Sequence, residues 1–268
     1  MTSEMNEFAV VTGASSGIGY ELARQFAEHG YDLLITAEDT GIDDAATDLR
    51  RDGGHQTVTA VRADLATFDG VEQLYAAILE TGRPVDALAL NAGRGIGGDF
   101  TRQTDLEDEL NVIDVNITST VHLAKRVLPD MVARGSGQVL FTSSIASEMP
   151  GTYQAVYNAS KSFVQSFAEA LRAELEDTGV SVTSLMPGPT DTNFFHRAEM
   201  DDTRVGASKK DDPALVAKQG FEAMIKEKEK VVAGSWKTKA QGAGSKVMPD
   251  RLKAAMHSKM AEPGSAKS

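Results

Sequence analysis

Thr12-Gly13-Ala14-Ser15-Ser16-Gly17-Ile18-Gly19 joins the first apolar run of the chain, 8–12, to a helical pattern over 17–29. A glycine-rich turn between a strand and a helix lets backbone N–H groups approach a pyrophosphate closely, and the helix N-terminus adds partial positive charge at the same spot. Gly13 and Gly17 allow the tight turn, and Gly19 allows close packing of helix on sheet. Ser15, Ser16 and Ile18 complete the loop. The spacing is not the common G-x-G-x-x-G, so the generic fingerprint does not strictly apply. The position of the turn, after the first strand of an alternating chain, is what gives it weight.

Outward from this turn, short β-branched runs at 32–37, 57–63, 85–91, 138–143 and 181–186, with a weaker one near 231–232, alternate with longer amphipathic stretches. The helical patterns cover 43–51, 68–80, 106–133, 155–176 and 213–228. Runs such as Val85-Asp86-Ala87-Leu88-Ala89-Leu90 are largely apolar on both faces, as in strands covered by helices on each side. Gly30 and Gly179 stand where a left-handed helix stop is wanted. The alternation predicts an α/β fold: a doubly wound, Rossmann-type parallel sheet of about seven strands with helices on both faces. Residues 1–235 read as one domain and 236–268 as a basic tail, partly helical or disordered.

The 268 residues suit a single large α/β domain. With no cysteine, disulfides, thiolate metal sites and cysteine nucleophiles are excluded. The five histidines, at 29, 55, 122, 196 and 257, show no metal-ligand spacing, so no metal is expected. Residues 1–7 are polar and acidic, unlike a signal peptide, and no apolar run is long enough for a bilayer; a soluble, cytoplasmic protein is expected. A net charge of -12 argues against nucleic acid as a partner. The tail differs, carrying seven Lys or Arg against two acids. Within it Leu252, Met256 and Met260 recur every four residues beside Arg251, Lys253 and Lys259, a pattern for packing on its own or a neighbouring subunit, or for an acidic membrane surface. Residues 261–268 read as disordered.

The second strand ends at Ala37-Glu38-Asp39, about twenty positions past the glycine turn, where an adenosine ribose would hydrogen-bond an acid. A carboxylate there repels a 2′-phosphate, and neither Ser15-Ser16 nor 37–39 offers a Lys or Arg to receive one. NAD is therefore expected over NADP, with Glu38 as the ribose ligand and Asp39 as readily a solvated turn.

Tyr157-Asn158-Ala159-Ser160-Lys161 opens a long helical stretch, and the i, i+4 spacing sets the Tyr ring and the Lys chain on one face. A free phenol, with a pKa of roughly 10, is a poor base at neutral pH. A nearby ammonium and the positive ring of an oxidised nicotinamide both favour the phenolate, and the pair can then exchange a hydroxyl proton while hydride moves.

Together, Thr12-Gly13-x-x-x-Gly17-Ile18-Gly19, Asp64-Leu65, Asn91-Ala92-Gly93, Asn116, Ser143-Ser144, Tyr157-x-x-x-Lys161 and Pro187-Gly188-x-x-x-Thr192 resemble the short-chain dehydrogenase/reductase family in order and spacing, from about residue 8 to 192. The resemblance implies an NAD(P)-dependent oxidoreductase in which Ser144, Tyr157, Lys161 and Asn116 are catalytic. Ser144 would hold the substrate oxygen, with Ser143 only its neighbour. Lys161 would also hold the nicotinamide ribose, and Asn116 a water linking Lys161 to solvent. Asp64, with Leu65, would border the adenine. Asn91, Ala92 and Gly93 would border the adenosine ribose. Beyond Pro187 and Gly188, Thr190 and Thr192 would anchor the carboxamide. All but Asn116, Tyr157 and Lys161 lie at the ends of expected strands, where open α/β sheets bind ligands.

The expected substrate is a ketone or secondary alcohol of small to medium size. It is taken as largely apolar because Phe194, Phe195 and Met200, with His196 among them, lie in the loop that covers substrate in the family. The glycine-rich Asn91–Gly98 segment departs from the family's usual pattern and reads as a mobile pocket edge. A homodimer or homotetramer built on 106–133 and 155–176 is expected by resemblance. The alternatives are a 3-oxoacyl-type reductase using NADP, a catalytically silent dinucleotide-binding regulator, which would not need all of Ser144, Tyr157 and Lys161, and a sugar-nucleotide epimerase or dehydratase, disfavoured by glycine spacing and length.

Overall fold

The computed structural model describes residues 6–54, 56–236, 238–239 and 249–267. The N-terminal stretch up to residue 5, His55, Lys237, tail residues 240–248 and Ser268 lie outside the described residues. Seven parallel strands form one sheet in the order β3-β2-β1-β4-β5-β6-β7: β1 (Phe8–Thr12), β2 (Asp32–Ala37), β3 (Val58–Arg62), β4 (Ala87–Leu90), β5 (Gly137–Thr142), β6 (Val180–Pro187) and β7 (Lys230–Ala233). The helices α1 (Gly17–Glu28), α2 (Gly41–Gly53) and α9 (Pro213–Ile225) pack with one buried cluster; α3 (Phe68–Glu80), α5 (Ser119–Arg134) and α6 (Ala155–Glu174) pack with the other.

The period-two geometry of a strand divides the core between the two faces. In β1, Ala9 and Val11 join the first cluster while Phe8 and Val10 join the second; in β4, Ala87 and Ala89 join the first and Leu88 and Leu90 the second. Phe26 of α1 closes the first face edge-on to Tyr31 and Phe221, at 5.2 and 5.1 Å. Phe141, wholly buried in β5, anchors the second, and each such side chain contributes roughly 1.5–3 kcal/mol on burial.

Two expected strands are shorter than their apolar runs. The 85–91 run forms a strand only over Ala87–Leu90; the Asp86 carboxylate takes the Phe8 N–H at 2.8 Å, and Asn91 turns out of the ladder toward β1. Beside β3, Thr67 caps α3, its Oγ1 accepting from Gly70 N at 3.0 Å.

The expected 106–133 helix is broken. It runs as α4 (Leu106–Ile113), a π-helical turn over Asp114–Thr118, and then α5. The wider turn carries Asn116, whose buried side chain hydrogen-bonds a loop and a second helix rather than following the regular helical face.

Past β6 the chain forms the short helices α7 (Phe194–Arg197) and α8 (Arg204–Ala207), and α10 (Asp250–Ala261) lies in the tail. The disorder expected from residue 261 is not what the structure has. Ala261 and Ser265 are buried, Gly264 N donates to Asp202 Oδ2 at 2.8 Å, and Ala266 N donates to the Asp202 carbonyl at 2.9 Å. The four-residue stripe of α10 is not one buried face either: Leu252 and Met256 are exposed, whereas Met260 packs with Phe195, Met200 and Val205. No helix among the described residues is long and apolar enough to cross a membrane.

Candidate active site

A cavity of about 500 Å³ runs along the carboxyl ends of the strands, over the point where the chain order reverses between β1 and β4. One end is bounded by the glycine turn and the ends of β2, β3 and β4; the other by Ser144, Tyr157 and the segment after β6. Of the residues singled out in the sequence, Gly13, Ser15, Ser16, Gly17, Ile18, Gly19, Glu38, Asp64, Leu65, Asn91, Ala92, Gly93, Ser144, Tyr157, Lys161, Pro187, Gly188, Thr190 and Thr192 all line this space. Asn116 does not; it lies beneath the wall.

The glycine turn is packed so closely that side chains are excluded. A Cβ on Gly19 would fall 2.0 Å from the Gly13 carbonyl oxygen, and one on Gly13, at φ +68°, would fall 2.8 Å from Ala92 Cα. Ser16 precedes α1 but makes no side-chain cap bond, and the first turn holds no acid, so the helix offers uncapped N–H groups to the cavity. That cradle fits a dinucleotide pyrophosphate.

The two acids after β2 separate cleanly. Asp39 is spent on its own turn, accepting from Ser15 Oγ at 2.8 Å and Gly41 N at 2.9 Å. Glu38 is exposed on the cavity rim with no hydrogen-bond or ion-pair partner among the described residues. Asp64 Oδ1 accepts from Ala66 N at 2.9 Å, fixing the turn after β3. Asn91 bridges the sheet centre, donating to the Thr12 carbonyl at 3.1 Å and accepting from Thr142 Oγ1 at 3.1 Å.

At the other end, Ser143 and Ser144 point to different duties. Ser143 Oγ donates to the Lys161 carbonyl at 3.1 Å, whereas Ser144 Oγ accepts from Ala146 N at 3.0 Å with only a 3.5 Å contact to the Pro187 carbonyl. Tyr157 is buried between Ile96, Val112 and Phe194, whose ring centroid is 5.1 Å away. Burial pushes its phenol up to about 12, with hydrogen bonding to Ser144 pulling the other way. Burial also pulls Lys161 down to about 8.

The ammonium expected to lower the phenol does not do so in this arrangement. Lys161 Nζ donates to the Thr142 carbonyl at 3.0 Å and sits 6.0 Å from the Tyr157 ring centroid, so desolvation dominates both groups. Asn116 spends its amide on structure: Oδ1 accepts from Arg94 N, and Nδ2 donates to the Arg94 carbonyl and to Ser160 Oγ at 2.9 and 2.8 Å.

The 91–98 segment is a seat rather than a loose edge. Phe194 and Met200 lie where Cβ atoms on Gly95 and Gly97 would be, and Gly97 N and Gly98 N donate to the Ala198 and Tyr153 carbonyls, each at 2.9 Å. His196 is turned away to Asp201 and does not line the cavity.

The lining also holds residues to which the sequence reading gave no place in the site, Met149, Gln154, Val205, Arg197, His257 and Met260 among them. Arg197 reaches back to the glycine turn, and His257 and Met260 come from α10. The four-residue repeat of the tail pointed to Met260 as a packing residue; nothing in the spacing marked Arg197 or His257. Thr190 and Thr192 hold the chain beyond β6, Thr190 through a bridge to Asp211 and Thr192 by accepting from Phe194 N at 3.2 Å. Among the described residues, no group of three or more His, Asp or Glu is placed to hold a metal.

Residues 7–203 match the family model for short chain dehydrogenases. Sulfoacetaldehyde reductase 2 of Chromohalobacter salexigens is 35% identical over 193 residues, 71% of this chain and 75% of that protein. The NADP-dependent 3-hydroxy acid dehydrogenase of Salmonella typhi is 30% identical over 217 residues, 80% of this chain and 86% of its own length. Among solved structures, a short-chain dehydrogenase from Sphingobium yanoikuyae in complex with NADPH superposes with a TM-score of 0.78 at 29% identity, covering 84% of this chain and 87% of that one.

Proposed function

The chain belongs to the short-chain dehydrogenase/reductase family, and from that premise we propose how its cavity performs an NAD(P)-linked oxidoreduction of a ketone or secondary alcohol. The observation that carries the proposal is one continuous space with uncapped helix N–H groups at one end and the Ser144 and Tyr157 hydroxyls at the other.

A bound nicotinamide cofactor supplies or takes the hydride. The protein's part is to place the substrate oxygen and move its proton. Ser144 Oγ, which accepts from Ala146 N and is in hydrogen-bonding contact with Tyr157, turns its hydroxyl proton to that oxygen. Tyr157, whose raised pKa keeps it protonated through the neutral range, gives its phenolic proton to the oxygen during reduction; oxidation runs the same transfer in reverse, starting from the phenolate. Lys161, pulled down to about 8 by burial, can give a proton behind the phenol and reset it. Asn116 is a positioning residue, holding Arg94 and Ser160 on either side of this pair.

Glu38, the unpartnered acid on the rim, is the ribose ligand, and its charge selects NAD over NADP. Phe194, Phe195, Val205, Met149 and Met260 make the substrate end largely apolar, which suits a small to medium apolar carbonyl compound. Residues 1–235 act as the catalytic unit, and the tail contributes α10 as part of the substrate wall. Exposed Leu106 and Leu110 on α4, Val132 on α5 and Phe163 on α6 support a homodimer or homotetramer through those helices.

The test is turnover of ketones, secondary alcohols and 3-oxoacyl thioesters with NADH and NADPH. Reduction of apolar ketones with a preference for NADH is expected. Activity confined to 3-oxoacyl thioesters with NADPH would replace this reading by the acyl reductase one.

A further inference from the structure

Arg197 ends α7, and its guanidinium arrives at the glycine turn from 181 positions along the chain, Nη2 lying 3.4 Å from Ser16 Oγ. It lines the cavity, and of the basic side chains there it is the one whose contact is a long hydrogen bond to a hydroxyl at the glycine turn. Arg94 is tied to Asp108 and Asn111, Lys161 to the Thr142 carbonyl, and His257 Nδ1 to the Thr152 carbonyl. Arg197 has no carboxylate partner among the described residues, and the Ser16 hydroxyl is its one polar contact there.

Its place is electrostatically wrong for an empty groove. Ser16 is the residue before α1, so the guanidinium stands at the partially positive end of that helix, beside N–H groups with no side-chain cap. A cation there is repelled unless an anion lies between it and the helix. The neighbouring chain is already fitted to the turn: Thr192 Cγ2 lies 2.8 Å from where a Gly17 Cβ would be.

Building on the nicotinamide reading above, we propose that Arg197 clamps the cofactor's pyrophosphate against the N-terminus of α1 and, in doing so, latches the segment over the substrate end. A guanidinium takes phosphate oxygens through paired, charge-assisted hydrogen bonds. Pyrophosphate is favoured over a 2′-phosphate because Arg197 meets Ser16, at the helix entrance, whereas the ribose acids lie beyond Ser15, which is bonded to Asp39. The latch follows from connectivity. Phe194, three residues earlier on α7, is the ring packed on Tyr157, so holding Arg197 holds the wall of the substrate end beside the phenol. Cofactor would thus bind first and order the place where substrate binds.

The experiment titrates the full chain with NADH, NADPH and adenosine, following nucleotide fluorescence and, for adenosine, its competition with NADH, with hydrogen exchange of residues 194–200 as a second readout. Arg197→Ala should weaken NADH and NADPH by the same factor, about tenfold, and leave adenosine unchanged. Arg197→Lys should recover part of the loss. NADH should slow exchange at 194–200 in the parent protein and not in Arg197→Ala. Arg197 is exposed, so the fold should survive the change. Equal nucleotide affinities in parent and Arg197→Ala would overturn the clamp, as would weakening confined to NADPH, which moves the contact to the 2′-phosphate, or equal weakening of adenosine. Equal slowing of exchange in both proteins would remove the latch. A parent chain that binds neither nucleotide would overturn the cofactor reading itself.

Discussion

Asn116 and Arg94 hold each other by two reciprocal hydrogen bonds, Arg94 N–H donating to Asn116 Oδ1 at 2.8 Å and Asn116 Nδ2 donating to the Arg94 carbonyl at 2.9 Å. The pair fixes the backbone just after Gly93, where a Cβ would stand only 3.1 Å from Lys161 Nζ. The π-helical turn is therefore tied to the lysine through a loop, with no direct hydrogen bond between the two side chains.

Replacing Asn116 by Ala leaves the Arg94 peptide groups without their side-chain partner and removes the donor to Ser160. A loss of roughly 2 kcal/mol is expected, from the cost of unsatisfied buried polar groups. Urea unfolding would show it as a lower midpoint at unchanged slope, accompanied by at least a tenfold loss of turnover; an unaltered midpoint would contradict the positioning role.

Tyr157→Phe should abolish turnover in both directions while cofactor affinity stays within about twofold, since only the hydroxyl is removed from a packed ring. Steady-state rates and a fluorescence titration on the same preparation decide it. Normal turnover in this variant would end the proton-transfer assignment.

Lys161 links activity to pH and stability. Its pKa falls from 10.5 to about 8 by burial, so between those values the unfolded chain binds more protons than the folded one, and this group's contribution to stability rises with pH. Below about 8 its full cost is present. Tyr157 acts oppositely: raised from 10 to about 12, it keeps its proton in the folded chain where the unfolded chain loses it, so stability falls as pH rises through that range. Lys161→Met should thus be more stable than the parent at pH 7, on the order of 1 kcal/mol after losing the Thr142 hydrogen bond, or roughly 2–4 °C in Tm. It should be nearly inactive, and its stability advantage should shrink by pH 10. In the parent, ketone reduction should decline above about pH 8. Calorimetry across pH checks the first point and initial rates the second.

Glu38→Arg should move preference toward NADPH by about a hundredfold in the ratio of kcat/KM values, replacing repulsion of a 2′-phosphate with attraction. Glu38 is exposed and unpartnered, so Tm should hardly change. A parent enzyme already preferring NADPH would remove the role given to this carboxylate.

Most of the sheet was legible because its strands are short, apolar on both faces and separated by amphipathic runs; Phe8 and Val10 against Ala9 and Val11 show why the pattern suffices. The glycine turn was legible because its chemistry is local to eight residues. The break at Asp114–Thr118 was not, since the apolar periodicity passes through it and its side-chain bonds reach Arg94 and Ser160, 22 and 44 positions away. Arg197 and His257 escaped for the same reason: their partners, Ser16 and Thr152, are 181 and 105 positions distant. Order beyond Ala261 was equally hidden, because the small polar residues there gain their fixed places only from Asp202 and Arg204.

The late arrival of α10 makes one part of the substrate end younger than the rest of the cavity in a growing chain. Every residue at the glycine-turn end, Arg197 included, is synthesised before β7, while His257, Met260 and Ala261 emerge only after it. Domains tend to organise from the N-terminus during synthesis. A nucleotide therefore has its groove before the last part of the substrate wall is made, and can serve the nascent protein as a stabilising ligand before it serves the finished enzyme as a reactant.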